Sequence, residues 1–264
     1  MAELRSKRTA ADEADSAAGR VLRLLQCVAE ADREFALKDL VARTDLAPST
    51  THRLLSFLVQ AGLVERAGPK IYRQGPELLR MASLVLQKSE VHKLARPLLQ
   101  ELWTQWRETC SYCLYRPGTR TATVVETIRT PHPLQFLVEL HAEISLAWGS
   151  MGRSILAYLP SADVEAVLAD HRRSPLSGRL APTRRAMDRE LDQIRQRGYA
   201  VYEDKALDVA GVASPVFGPA GTVVGCIGVT MPLSRFRKCN ESELCAAVVA
   251  KTRRLSAAGG FSDS

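Results

Sequence analysis

The sequence predicts an α+β protein with a mostly helical N-terminal domain and a C-terminal domain built on an antiparallel sheet. Three observations support this. The length of 264 residues suits two domains that each bury a core. Residues 19–60 place their apolar side chains mainly at helical spacing. Beyond residue 110, strand-like segments are joined by Pro-Gly or Gly-Pro-Ala-Gly turns and alternate with helical segments.

The segment PSTTHRLLSFLVQ (48–60) predicts a helix with one polar face. Pro48 suits the first turn, where its missing N–H has no helical partner, and we expect Ser49 to cap that turn. Gly62 is expected to end the helix in the left-handed conformation. The outward face carries Ser49, Thr50 at its edge, His52, Arg53, Ser56 and Gln60. Hydroxyls, an imidazole and a guanidinium without any acid suit a helix in the major groove of DNA. An ordinary surface helix is the alternative.

Two helices are predicted upstream, within 19–35 and 36–48, and the turn at 44–47 leads into the polar helix. This spacing is that of a helix-turn-helix. Residues 62–75 predict two short strands around a turn at 67–70, which completes a winged helix-turn-helix domain over 17–75. We expect Arg73 and two other wing cations to contact phosphates. The candidate DNA-binding residues are Ser49, Thr50, His52, Arg53, Arg66 and Lys70.

Charge adds little to the DNA interpretation. The chain has a formal net charge of +7, but residues 1–75 hold 12 basic and 10 acidic residues, a net charge of +2. No apolar run is long enough to span a membrane, and the first twenty residues lack the apolar segment of a signal peptide. We therefore expect a cytoplasmic protein without membrane contact, with 1–16 as a disordered tail.

Six cysteines suit a reducing compartment. Cys110 and Cys113 have C-x-x-C spacing, but no second ligand pair lies nearby, so no metal or other cofactor is predicted. We interpret them as strand residues in or near a core, with a redox role as the alternative.

The second half begins with helical pattern over 76–110, with a break near 89–90. We predict a linker helix over 76–88, with an apolar stripe for contact between subunits, followed by a domain over 89–260. Pro97 is expected in the first turn of the second helix. Strands are predicted at 111–116, 121–128, 209–217 and 222–230, and helices at 151–159, 161–170 and 183–198.

Residues 19–80 resemble the DNA-binding domain of the IclR family of bacterial transcription regulators. The resemblance is carried by RVLRLL (20–25), LKDLVARTDLAPSTTHRLLSFLVQAGLVER (37–66) and YRQGPELLRMA (72–82). Later segments are similar to the family's GAF-like effector-binding domain, namely GSMGRSILAYLP (149–160), RGYAVYED (197–204), GVASPVF (211–217) and GTVVGCIGV (221–229). The resemblance implies a dimeric or tetrameric, ligand-responsive transcription regulator. It would bind double-stranded operator DNA and control genes of small-molecule metabolism, with an organic or aromatic acid as effector.

The last predicted strand offers a place for that effector. Alternation puts Val224, Cys226, Gly228 and Thr230 on one face. Small side chains leave room and a hydroxyl can orient a ligand, although the glycine could instead accommodate a helix packed over the sheet. We expect a small carboxylic acid there, with Arg153 either supplying charge or facing solvent. The resemblance implies effector-binding roles for Phe136, Ile144, Ser150, Met151, Val209, Gly211, Gly228 and Thr230.

Catalytic patterns are weak, and we predict no catalytic residues. Ser150 lies in WGSMGRS, which lacks the glycine spacing of a nucleophile elbow. No motif ties His132 or His141 to a serine and an acid, and no phosphate-binding loop is present. The alternatives to a regulator are a metabolic enzyme with an appended DNA-binding domain and a DNA-binding protein without an effector.

Overall fold

The computed structural model of the protein describes residues 16–136, 138–170, 173–174 and 177–261. The chain divides into two compact units, Met1–Lys88 and Ser89–Ser264. Of the tail predicted over 1–16, residues 1–15 lie outside the described residues. Ser16 belongs to the first helix, because its side chain accepts a hydrogen bond from the N–H of Gly19 at 3.0 Å.

The first unit is a winged helix-turn-helix fold, as predicted. Its helices are α1 (Ala17–Ala29), α2 (Leu37–Thr44), α3 (Pro48–Gln60) and α4 (Pro76–Lys88). Its strands are β1 (Phe35–Ala36), β2 (Val64–Gly68) and β3 (Ile71–Gln74). They form an antiparallel sheet in the order β1-β3-β2. The two-residue strand β1 is not among the predicted elements.

One apolar core holds the first unit together. It contains Leu24 and Val28 of α1, Leu40 of α2, and Leu55 and Leu58 of α3, all buried. Each fully buried leucine contributes about 1.5–3 kcal/mol relative to an exposed one, so this core fixes α3 in place.

The N-terminal end of α3 differs from the prediction, whereas its C-terminal end agrees with it. Ala47 is the N-cap and makes no side-chain cap hydrogen bond, so Ser49 does not cap this helix. Gly62 has a φ of 69°, as the C-terminal prediction requires. Gly75 is needed for a close approach, since a Cβ there would lie 2.2 Å from the carbonyl oxygen of Gly62.

The second unit contains a six-stranded antiparallel sheet in the order β6-β5-β4-β9-β8-β7. The strands are β4 (Thr109–Arg116), β5 (Thr121–Ile128), β6 (Glu143–Ser145), β7 (Ala200–Asp204), β8 (Val209–Phe217) and β9 (Val223–Pro232). The helices are α5 (Glu90–Trp106), α6 (Gly149–Leu156), α7 (Ser161–Asp170), α8 (Arg184–Arg197), α9 (Leu233–Phe236) and α10 (Glu241–Ala258). The predictions did not include β6, β7, α9 or α10.

Helices cover both faces of this sheet. Apolar residues of α6, α7 and α8 pack on one face, including Ile155, Val167 and Leu191. Residues of α5 and α10 pack on the other, including Leu99 and Val248. Pro97 lies inside α5 rather than in its first turn. The carbonyl four residues earlier therefore accepts no helical hydrogen bond from it.

The strand register shows which face of the sheet the cysteines of β4 and the first residues of β9 lie on. Cys110 and Cys113 are both buried but belong to clusters on opposite faces of the sheet. Val224 was expected to share a face with Cys226, which is wrong. A bulge shifts the β8–β9 register beside Val216, so Val223 packs with Cys226 and Val224 packs on the opposite face.

The outer edge of β8 is only partly covered. In the described part of the chain, β7 pairs with Val209–Ala213 and no strand pairs beyond that point on this side. The N–H of Phe217 instead donates to Oγ of Ser256, on α10, at 2.9 Å.

Candidate functional site

The first candidate surface is the polar face of α3. Ser49, His52 and Arg53 are exposed and Thr50 is half-buried. Thr51 turns inward, and its hydroxyl donates to the carbonyl of Ala47 at 3.1 Å. Within the described residues no ion pair involves Arg53, so its guanidinium is available to an outside acceptor.

The turn before α3 orients this face. α2 ends at Thr44, whose hydroxyl donates to the carbonyl of Leu40 at 2.7 Å. The carbonyl of Thr44 in turn accepts from Arg23 of α1 at 3.2 Å. Asp45 then adopts a left-handed conformation, with a φ of 55°, which redirects the chain into α3. The direction of the polar face therefore depends on contacts among all three helices.

The wing formed by β2 and β3 carries the other predicted cations. Arg66 and Lys70 are exposed, and Lys70 lies at the turn with a φ of 61°. No ion pair of the described chain engages either one. Arg73 differs, because its guanidinium contacts Glu65 across the strand pair at 2.7 Å. Arg73 is thus a weaker candidate for phosphate contact than its two neighbours.

The second candidate surface is the contact between α6 and the sheet. Ser150 and Met151 of α6 lie directly over the glycines of two strands. A Cβ on Gly211 would meet Oγ of Ser150 at 2.8 Å, and a Cβ on Gly228 would meet Cγ of Met151 at 2.6 Å. The space that we expected above Gly228 therefore holds the Met151 side chain, and the glycines permit close packing of the helix.

The remaining predicted effector residues surround this contact. Thr230 is paired with Gly211 across β8 and β9 and is buried. Val209 is buried at the start of β8. Phe136 and Ile144 are half-buried against the core on the α6 side. The structure thus brings Ser150, Met151, Gly211, Gly228 and Thr230 together, with the other three at the margins.

Arg153 takes neither of its two predicted orientations. It is buried, and its guanidinium contacts both carboxylate oxygens of Glu190, on α8, at 2.6 and 2.8 Å. It also donates to the carbonyl of Ala147 at 3.3 Å and lies 4.9 Å from the ring centre of Tyr202. Burial raises the pKa of Tyr202 above its ordinary value. Sequence reasoning missed Glu190, since no local pattern links it to Arg153, 37 residues earlier.

The described residues offer neither a cluster of metal ligands of the usual kinds nor a membrane-spanning helix. No group of three or more His, Cys, Asp or Glu side chains is arranged to hold a metal ion. No helix in the described ranges is long and apolar enough to cross a membrane.

Comparison with known proteins agrees with this architecture in both units. The profile for the IclR helix-turn-helix domain matches residues 17–68. The profile for the bacterial transcriptional regulator IclR C-terminal domain matches residues 83–257. The chain belongs to the IclR family of transcription regulators. Members of this family regulate transcription and are not enzymes, so the alternative of a metabolic enzyme is set aside.

Individual IclR proteins match over most of the chain. The HTH-type transcriptional regulator BhcR of Paracoccus denitrificans is 29% identical over 228 residues, which cover 84% of this chain and 80% of that protein. The crystal structure of an IclR regulator from Silicibacter sp. TM1040 has a TM-score of 0.79 and 26% identity, covering 94% of this chain and 98% of that one. An IclR homologue from Microbacterium hydrocarbonoxydans, in complex with 4-hydroxybenzoate, shares the fold. Its TM-score is 0.70 at 20% identity, over 90% of this chain and 97% of that one.

Proposed function

We propose that this IclR-family regulator contacts operator bases through Ser49, Thr50, His52 and Arg53 and phosphates through Arg66 and Lys70. The observation that carries the proposal is the acid-free face of α3, whose one arginine is exposed and outside any ion pair of the described residues. Arginine donates two parallel hydrogen bonds to guanine in the major groove, so a free guanidinium at this place supports recognition of sequence.

We further propose that the second unit responds to a small carboxylic acid, aromatic rather than aliphatic, bound between α6 and the sheet. Met151 occupies that space over Gly228, and an unbranched thioether changes rotamer at low cost. The N-terminal end of α6 carries positive partial charge, which favours a carboxylate beside Ser150 and Met151. Thr230 would supply a hydroxyl. The apolar residues Ile144 and Val209 would contact a ring.

Arg153 is not part of this proposal for the ligand. Its guanidinium already has two carboxylate contacts and one carbonyl contact. A ligand would have to displace the half-buried Glu190 to reach it, and leaving the buried Arg153 charge without its carboxylate is expensive. Its proposed role is to hold α6 against α8.

Self-association is the third part of the proposal. None of the residues of α4 is buried within the chain, and five of its large apolar side chains are exposed. These are Leu79, Met81, Leu84, Val85 and Leu86. An apolar surface of this kind marks a protein contact. A second copy of α4 is the proposed occupant, because two DNA half-sites require two copies of α3.

The test starts from operators selected from random duplexes with the full-length chain. Lys70→Ala should lower the salt dependence of binding by about one phosphate contact, a slope change near 0.9, whereas Arg73→Ala should change it less. Addition of 4-hydroxybenzoate should alter operator affinity, and acetate at equal concentration should not. Failure to enrich any sequence would refute the DNA part, and equal responses to both acids would refute the aromatic preference.

A further inference from the structure

Three sulfur atoms meet in the core of the second unit. Cys113 of β4 and Cys226 of β9 are directly paired in register across the two strands. Both side chains are fully buried in the same apolar cluster on one face of the sheet. The Cys113 thiol also lies 3.5 Å from Sδ of Met151, on α6. All three side chains are buried. Of the three, only Met151 also belongs to one of the sites proposed above, the carboxylate site.

Gly228 explains why the thioether comes so close to the sheet. Gly228 lies two residues after Cys226 on β9, and the two share a face of the sheet. A Cβ at this glycine would be 3.1 Å from Sδ of Met151 and 2.6 Å from its Cγ. Any larger residue would push the methionine away. The absence of a side chain at Gly228 therefore leaves room for the thioether to lie beside the two thiols.

We infer that Cys113, Cys226 and Met151 form a binding site for a cuprous ion, Cu(I). Thiolates and thioethers are the soft ligands that Cu(I) prefers, and the cluster contains no imidazole or carboxylate. At metal–sulfur distances near 2.3 Å, three sulfurs around one ion lie about 4 Å apart. The Cys113–Met151 separation of 3.5 Å is already close to that value. Zinc is disfavoured because it takes four ligands, with thiolate, imidazole or carboxylate donors.

Binding exchanges two protons for one ion. Both thiols lose their protons to solvent, and two thiolates with one Cu(I) leave the site with a net charge of −1. Cys113 is a free and fully buried thiol. Cys226 and Tyr112 are the titratable groups close enough to interact with it. Met151 is in the first turn of α6, whose positive end offsets part of the negative charge.

A bound ion would connect α6 to the sheet. Two of its ligands are on strands and the third is on the helix that covers them, so occupancy would fix the helix in its present position. Met151 and Gly228 also belong to the proposed carboxylate site. Copper and the acid should therefore exclude each other. Copper binding does not require an acid site, since the three sulfur atoms are close together whether or not an acid binds there.

The experiment is an anaerobic titration of full-length protein with Cu(I) buffered by bicinchoninate. Every protein in the comparison carries Cys239→Ser, because Cys239 is the one thiol that is only half-buried. The parent should take one Cu(I) per chain from the chelator and release two protons in weakly buffered solution. Cys113→Ser should weaken Cu(I) binding more than about 100-fold and Met151→Leu about 10-fold, since even outer-sphere changes cost 10–100-fold at metal sites.

Matched controls are Cys110→Ser and Cys245→Ser, which remove buried thiols on the opposite face of the sheet. Both should bind Cu(I) like the parent. Met151→Leu conserves volume and decides the question if Cys113→Ser fails to fold by circular dichroism. Parent-like Cu(I) affinity in a folded Cys113→Ser or Met151→Leu protein would overturn the site, as would a parent that leaves the ion on the chelator. A Cys113→Ser protein that no longer binds Cu(I) but still responds to 4-hydroxybenzoate would show that the copper site and the acid site are separate properties of the protein.

Discussion

Three arginines of this protein differ in whether a carboxylate of the chain already pairs with their guanidinium group. Arg53 of α3 is exposed, and no ion pair of the described chain engages it. Arg73, on the wing, contacts Glu65 at 2.7 Å. Arg153 is buried against Glu190. An arginine without a partner is available to DNA, a surface-paired arginine is partly satisfied, and a buried pair has a structural role.

Arg53→Ala should reduce operator binding by about 1–3 kcal/mol, the usual discrimination of a bidentate arginine–guanine contact. Binding to random duplex should fall much less. Arg73→Ala is the matched control, because it removes a similar charge that is already paired, and it should affect both DNAs little. Gel-shift titrations at one salt concentration measure all six affinities for the parent and the two variants. Equal losses on both DNAs for Arg53→Ala would assign Arg53 to a phosphate.

Glu190→Ala should lower the free energy of unfolding by about 1–3 kcal/mol, because it leaves the buried Arg153 guanidinium with one carbonyl acceptor. Asp192→Ala on the same helix is the control. Its exposed pair with Arg195 should contribute at most about 0.5 kcal/mol. Urea unfolding followed by circular dichroism compares the two. A Glu190→Ala loss no larger than that of Asp192→Ala would contradict a structural role for the pair.

Among the elements, α4 is unusual in leaving most of its large apolar side chains exposed. Val85 is 68% exposed and Leu79 is 62% exposed. Every other helix of the described chain except α2 buries at least two apolar residues, whereas α4 buries none and only half-buries Leu78 against the first core.

A double substitution, Met81→Glu with Val85→Glu, should shift the protein towards monomer without lowering the stability of the first unit. Two carboxylates one turn apart would be buried unpaired in an association surface, which is costly. Ser83→Glu with Gln87→Glu adds the same charge at the same spacing on exposed polar positions and should leave association unchanged. Sedimentation velocity gives the readout. A parent that is monomeric at all concentrations would end the proposal.

The sequence predicted those helices and strands whose boundaries are marked by residues within or next to them. α3 was recognisable from Pro48 and Gly62, and β5 and α7 have the predicted bounds. Contacts between distant segments left no such signal. β1 is strand only because it pairs with β3, and the pairing of Arg153 with Glu190 depends on how two helices meet.

The candidate sites show the same division. Exposure of the α3 residues followed from helical period alone. The position of Met151 over Gly228 did not, because it depends on packing of a helix against a strand 77 residues away in the chain. The bulge that reverses Val224 is likewise a property of the β8–β9 pair, not of β9 alone.

At the scale of the whole molecule, the two units have separate apolar cores. The first core draws on residues up to Leu78, and the two clusters of the second begin at Val91. Cooperative opening should therefore follow the division into units.

Leu55→Ala in α3 should cost the first unit about 2–5 kcal/mol through the cavity that it leaves. Hydrogen exchange should become faster across α3 and β2 and stay unchanged in β8 and β9. Leu99→Ala in α5 is the reciprocal control, with faster exchange confined to the second unit. Faster exchange throughout the chain in either variant would show that the units open together.

The unpaired part of the β8 edge affects whether the protein aggregates at high concentration. An open strand edge offers amide donors on which a foreign strand can grow, and such edges are common starting points for aggregation. Pro215 has no amide hydrogen, and the next donor on that side, at Phe217, is already bound to Ser256. A strand arriving there would find no donor to accept from. This part of β8 therefore offers an arriving strand carbonyl acceptors but no free amide donor, which makes it a poor template for sheet growth.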